Sequence, residues 1–87
     1  YLSEDDLQIA RRLNGVLAEA ALKATSGEPS ANAEAWASSA LLTAGFERVD
    51  YVAVRAADLS SYRAGAPGRI LAAAWLGRTR LIDNMAV

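Results

Sequence analysis

Eighty-seven residues, 53% of them hydrophobic, make one small globular domain and argue against disorder. Nine Lys and Arg oppose ten Asp and Glu, and the net charge of −1 gives no general pull toward nucleic acid or an anionic membrane. The chain has no cysteine and no histidine, which excludes disulfides, thiol catalysis and zinc–thiolate sites and removes the usual general base near neutral pH.

A chain of this size buries roughly 60–65% of its unfolded surface, so modest stability is expected. Much of the apolar share is alanine, which lowers the area available to a core. No apolar run approaches the length of a membrane span, and the opening residues show no basic-then-apolar signal pattern. The chain opens on Tyr1, two residues before a helix-cap signal, and reads as a domain cut from something longer.

Leu2-Ser3-Glu4-Asp5-Asp6-Leu7 is a dense helix-start signal. Ser3 suits the N-cap, and the three acids suit the positive end of the helix dipole. Leu2 and Leu7 stand at the positions of a hydrophobic staple, and Asp6 occupies the place where a capping box prefers Glu or Gln. The helix is predicted over about 3–25. Ile9, Ala10, Leu13, Val16, Leu17, Ala20, Ala21 and Ala24 form its apolar face. Gln8, Arg11, Arg12, Gly15, Glu19 and Lys23 fall opposite, with Glu19 and Lys23 spaced as an i,i+4 pair. Gly15 reads as a tolerated exposed glycine or as a point of close approach by another domain. Gly27, followed by Pro29, stops the helix.

Ser30 is placed to cap a second helix, over about 30–44 and ending at Gly45. Ala33, Trp36, Ala37, Ala40, Leu41 and Ala44 share a face, on which Trp36 is read as the large anchor rather than a ligand platform. Arg48 to Ala56 reads as a strand. Val52 and Val54 are assigned to the core, with Asp50 on their side and Val49, Tyr51, Ala53 and Arg55 on the other. Ala57 to Ser61 suggests a helical turn, and 64–68 a loop. Ile70 to Leu76 is continuously apolar, as a buried central strand would be, and Gly77 turns the chain into a last strand. The predicted strands are about 48–56, 69–76 and 79–86. The fold class is α+β: two N-terminal helices packed on a small three-stranded antiparallel sheet, as one domain over residues 1–87.

Chemistry-bearing groups are sparse. Glu4, Asp5 and Asp6 point in different directions around a helix, so they read as cap and dipole residues rather than a metal cluster. Arg78 and Arg80 are two apart and share a face if the strand has begun. They are either solvated strand-end charges or a meeting point for a phosphate. Asp83 and Asn84 read as turn chemistry or as a hinge contact. Ser60 and Ser61 have no histidine to activate them, and Gly65, Gly68 and Gly77 match no phosphate-loop spacing. From these residues alone the chain is not an enzyme, and no catalytic, substrate-binding or metal-binding residue is assigned.

Three segments in order carry a family resemblance. They are Tyr1-Leu2-Ser3, then Val49-Asp50-Tyr51-Val52-Ala53-Val54-Arg55, then Arg69-Ile70-Leu71-Ala72-Ala73-Ala74 continuing through Leu76-Gly77 and Thr79-Arg80-Leu81-Ile82-Asp83-Asn84. Together they resemble the C-terminal domain of the pantoate–β-alanine ligase (pantothenate synthetase) family over essentially the whole chain, the last segment being the most specific. The resemblance implies a small lid domain that closes over a site in an N-terminal, Rossmann-like domain. There ATP and pantoate form pantoyl adenylate, and attack by β-alanine gives pantothenate and AMP. It further implies ATP and Mg as cofactors of the parent with neither bound by this fragment, a cytoplasmic homodimeric parent, and an inactive isolated fragment. It puts Tyr1 just after the family's Ser-Ser-Arg-Asn motif, and turns the Arg78-Thr79-Arg80 corner toward the N-terminal domain. Three positions depart from the family pattern. Ala53 and Ala56 stand where Glu and Asp are usual, and Trp75 where Arg is usual. The departures predict that apolar packing replaces a strand-to-strand charge network. The alternative reading is a non-catalytic interaction or dimerisation module, joined through an open sheet edge.

Overall fold

The first helix begins where its cap permits. Ser3 has extended backbone angles, and its Oγ accepts from the Asp6 N–H at 3.1 Å. Glu4, Asp5 and Asp6 lie in the first turn, at the positive end of the dipole. The computed structural model describes residues 2–87, so the placement of Tyr1 relative to an upstream motif lies outside the described residues. Helix α1 (Glu4–Thr25) is followed by α2 (Ser30–Ala44), β1 (Arg48–Ala56), β2 (Gly68–Leu76) and β3 (Thr79–Ala86). The strands form one antiparallel sheet in the order β1-β2-β3. Helix α1 lies across β2 and β3, and α2 packs against β1. The fold is therefore the expected α+β arrangement, with the predicted element bounds met to within a residue.

The core forms where the helices meet the sheet. Leu13, Leu17, Ala20 and Ala24 of α1 are buried, with Ile9, Ala10, Val16 and Ala21 half-buried around them. From α2 come Ala33, Ala37 and Leu41, and from the sheet Val52, Val54, Ile70, Ala72, Ala74 and Leu76. The many alanines let the helices lie close to the sheet. Full burial of Leu17, Leu41, Ile70 and Val54 supplies about 1.5–3 kcal/mol each. Trp36 packs against the core as expected but is only half-buried, and the fully buried large residue of α2 is Leu41. Lys23 Nζ lies 4.9 Å from the centroid of the Trp36 ring. That cation–π contact takes the lysine that the i,i+4 spacing assigns to Glu19.

Four further expectations change. Pro29, not Ser30, is the N-cap of α2; Ser30 is already helical and no side chain caps the end. Proline's fixed φ suits this position, and here it is −54°. Leu2 packs against the core while Leu7 stays exposed, so the staple reading holds for only one of its two members. Residues 57–60 form no helical turn. Leu59 takes φ of 69°, the Ala56 N–H donates to Ser60 O, and Arg55 bridges to Ser61, so the chain folds back on the end of β1. Asp58 holds this turn by accepting from both the N–H and the hydroxyl of Ser60.

The fourth change is a bulge in β1. Val49 pairs with Ala74 and Tyr51 with Ala73, leaving Asp50 as the extra residue. A bulge shifts the alternation by one. Val49 therefore joins Val52 and Val54 on the core face, and Asp50 moves to the outward face, the reverse of simple alternation through position 50. At the other end of the sheet, Leu76 pairs with Thr79 around a two-residue turn of Gly77 and Arg78. Gly77 has φ of 57° while Arg78 keeps a negative φ, which is the glycine-first pattern of a type II′ hairpin.

Candidate functional site

The helices cover one face of the sheet. The other face is built by the residues alternating with the core positions. Across it run Arg48 opposite Trp75 and Arg80, Tyr51 opposite Ala73 and Ile82, Ala53 opposite Leu71 and Asn84, and Arg55 opposite Arg69 and Ala86. Ala73 is fully buried within its row, between Tyr51 at 41% and Ile82 at 62% exposure. Leu71 and Trp75 are half-buried beside them. This face is apolar at its centre and carries arginines at its ends.

The bulge places Asp50 among three donors. Its Oδ2 accepts from Trp75 Nε1 and from Arg80 Nε, each at 2.9 Å, and its Oδ1 lies 3.3 Å from Arg48 Nε. Arg48 also lies over the Trp75 ring, 4.9 Å from the centroid. The Trp75 indole N–H, then the Arg80 guanidinium, hold the Asp50 carboxyl below the ordinary carboxylate range. The departure at position 75 thus does not replace a charge network with apolar packing. The indole keeps a donor to Asp50 and gives up only a positive charge. Ala53 and Ala56, the other two departures, are half-buried strand residues paired with Leu71 and Gly68.

Arg78 and Arg80 do not share a strand face. Arg78 sits in the hairpin turn and is exposed, with no ion pair or side-chain hydrogen bond among the described residues, whereas Arg80 lies on β3 and is held by Asp50. A cleft of about 320 Å³ lies beside this turn, lined by Glu47, Arg48, Trp75, Gly77 and Arg78. Glu47 Oε1 accepts from the Gly77 N–H and so ties the turn to β1. Asp83 and Asn84 are not turn residues. They lie inside β3, paired with Ala72 and Leu71, and Asn84 Oδ1 accepts from both Nε and Nη2 of Arg69.

Sequence reasoning missed Glu34. Its Oε2 accepts from the Val54 N–H at 2.8 Å and from Arg55 Nη1 at 3.0 Å, so a helix side chain satisfies the free edge of β1. The signal was available: Glu34 is the one charged residue in α2. Gly15 has open space around it within this domain, so its own fold places nothing there that requires a glycine. Among the described residues no three acidic side chains converge as a metal site would require. Ser60 Oγ donates to Asp58 Oδ1 and is occupied in the turn. No helix of the described residues is long and apolar enough to cross a membrane. The arrangement on the outward face can bind by apolar contact and by charge.

Comparison with known proteins gives a consistent result. The profile of the family described as pantoate–beta-alanine ligase matches residues 1–86. Among curated relatives, the pantothenate synthetase of Mesorhizobium japonicum is 48% identical over 88 residues, covering 100% of this chain and 31% of the relative. That of Caulobacter vibrioides is 50% identical over 92 residues, covering 100% and 32%. That of Sphingopyxis alaskensis is 44% identical over 91 residues, with the same coverage. The chain spans about a third of the length of these relatives. A match along nearly the whole chain, with the elements above in place, means that the chain belongs to the pantoate–β-alanine ligase family.

Proposed function

We propose that residues 1–87 are the C-terminal lid domain of an ATP-dependent ligase that condenses pantoate with β-alanine to give pantothenate. The family match over residues 1–86 carries this reading. In the first step the pantoate carboxylate attacks the α-phosphorus of ATP, giving pantoyl adenylate and releasing pyrophosphate. In the second the amine of β-alanine attacks the acyl carbonyl, and AMP leaves. Both steps are assigned to an N-terminal nucleotide-binding domain outside these residues, together with pantoate, β-alanine, ATP and Mg. No described cluster here fits a metal ion. The same reading makes the parent a cytoplasmic homodimer.

The part left to this domain is to exclude water. Acyl adenylates hydrolyse, so a cover that closes over the intermediate raises the yield of the second step without supplying a proton or a nucleophile. A rigid slab of two helices on a sheet suits that task. A free-standing dimerisation module is the second reading, favoured by the uncovered outward face of the sheet.

Two measurements test the proposal. The full-length protein given ATP, pantoate and β-alanine is expected to form AMP and pantothenate in equal amounts, and absence of both products overturns the ligase reading. Titration calorimetry of ATP into residues 1–87 alone is expected to show no binding. Micromolar affinity there would remove the division of labour between the two domains.

A further inference from the structure

We infer that the outward face of the sheet, apolar at its centre and basic at its rim, is the surface on which the rest of the protein chain docks, presenting to it a patch that is apolar at its centre and acidic at its rim. This rests on the reading of residues 1–87 as one domain of a longer ligase. Three observations carry it. First, the two faces of the domain differ. The outward side of α1 shows Asp5, Gln8, Arg11, Arg12 and Glu19, with Leu7 and Leu22 exposed apart from each other toward its two ends, as on an ordinary solvated helix face. The sheet instead shows Tyr51, Leu71 and Ile82 around the buried Ala73. Contiguous exposed apolar side chains rimmed by charge mark an interaction surface.

Second, the rim is positive although the chain as a whole is not. Arg48, Arg55, Arg69 and Arg80 lie on this face, answered by only two carboxylates, Asp50 and Glu34. Arg55 and Arg69 stand directly opposite each other across β1 and β2. Like charges in that position are unfavourable. Glu34 neutralises Arg55, but Arg69 has only the neutral Asn84 amide as partner. A carboxylate on the docked surface would complete that pairing.

Third, the occupant is available. Some two thirds of each curated relative lies outside the length that this chain matches. A second copy of this domain fits less well. A two-fold interface presents the same patch to itself, and the arginine rims would then meet each other.

The experiment uses the full-length protein with its other cysteines replaced by serine, residues 1–87 having none of their own. Ile82→Cys and Tyr51→Cys probe the outward face, and Leu22→Cys, at a position 70% exposed on α1, is the reference. Maleimide labelling rates are measured with ATP and pantoate present, at several protein concentrations. Both sheet-face cysteines are expected to label at least about tenfold more slowly than the reference, the ratio produced by about 1.4 kcal/mol of docking, and independently of protein concentration. Labelling at the reference rate overturns the inference. So does protection that grows with protein concentration, which would assign the face to a second copy. AMP formation by the unmodified protein is measured alongside. Turnover with unprotected cysteines defeats this surface and leaves the ligase reading standing. Protection without turnover supports the surface and defeats the ligase reading.

Discussion

Asp50 collects donors from two neighbouring strands because a single extra residue turns its side chain outward. Its carboxyl is held below the ordinary aspartate value, chiefly by the Trp75 indole and then by Arg80. A carboxylate whose folded value is lowered stabilises the fold above its unfolded value, and loses that contribution as pH falls through the folded value. Trp75→Phe removes the leading cause. The variant is expected to lose stability relative to the parent at neutral pH, with the gap narrowing as pH drops below about 3.8. Urea midpoints measured against pH test this, and a gap that is the same at every pH rules out the Asp50 contact as its source. Gly68 gives a second prediction at this scale. A Cβ there would meet Tyr62 Cδ1 at 2.5 Å and the Arg55 backbone oxygen at 2.7 Å. The strand backbone cannot retreat without breaking its ladder. Gly68→Ala is therefore expected to cost about 1–3 kcal/mol by urea unfolding; a neutral result would mean that β1 and β2 separate easily.

At the scale of elements, the outer edge of β1 is closed by local means. Glu34 takes the Val54 N–H, and the turn at 57–60 folds back to take the Ala56 N–H through Ser60 O. Glu34→Ala leaves the Val54 N–H and Arg55 without their shared acceptor. A loss of about 1–3 kcal/mol is expected, with a new tendency to associate through β1 that light scattering would register. A variant that is as stable and as monomeric as the parent contradicts this role. Element bounds were legible because each end carries its own local chemistry: Ser3 and the acids at one end of α1, Gly27 and Pro29 at the other, Gly45 after α2, and Gly77 between the last two strands. The bulge at Asp50 was not, since an extra residue in a ladder becomes visible only when the partner strand is in place.

For the whole molecule, the core is one layer of alanines and a few large side chains between two helices and a sheet. Leu17 is fully buried at its centre. Leu17→Ala is expected to cost about 2–5 kcal/mol, a large fraction of what a domain of this size holds. Chemical denaturation of the isolated residues would show the variant largely unfolded where the parent is folded. A small shift would mean that the alanine-rich layer collapses around the gap.

The sequence alone was enough for the fold class, the five elements, most of the core and the family. These depend on period, on capping and turn residues, and on a residue pattern continuous along the chain, all of which are local. It also gave no residue to assign to acid–base catalysis, since a chain without histidine or cysteine lacks the groups that most often titrate near neutral pH. Only the tertiary structure decided which side chains share the outward face. Asp50 met Trp75 and Arg80 there through a bulge, Glu34 reached β1 from a helix, and Arg69 was left facing Arg55 with a neutral partner. Each of these joins residues at least 14 positions apart, and a contact of that kind depends on register and packing, which no local pattern encodes.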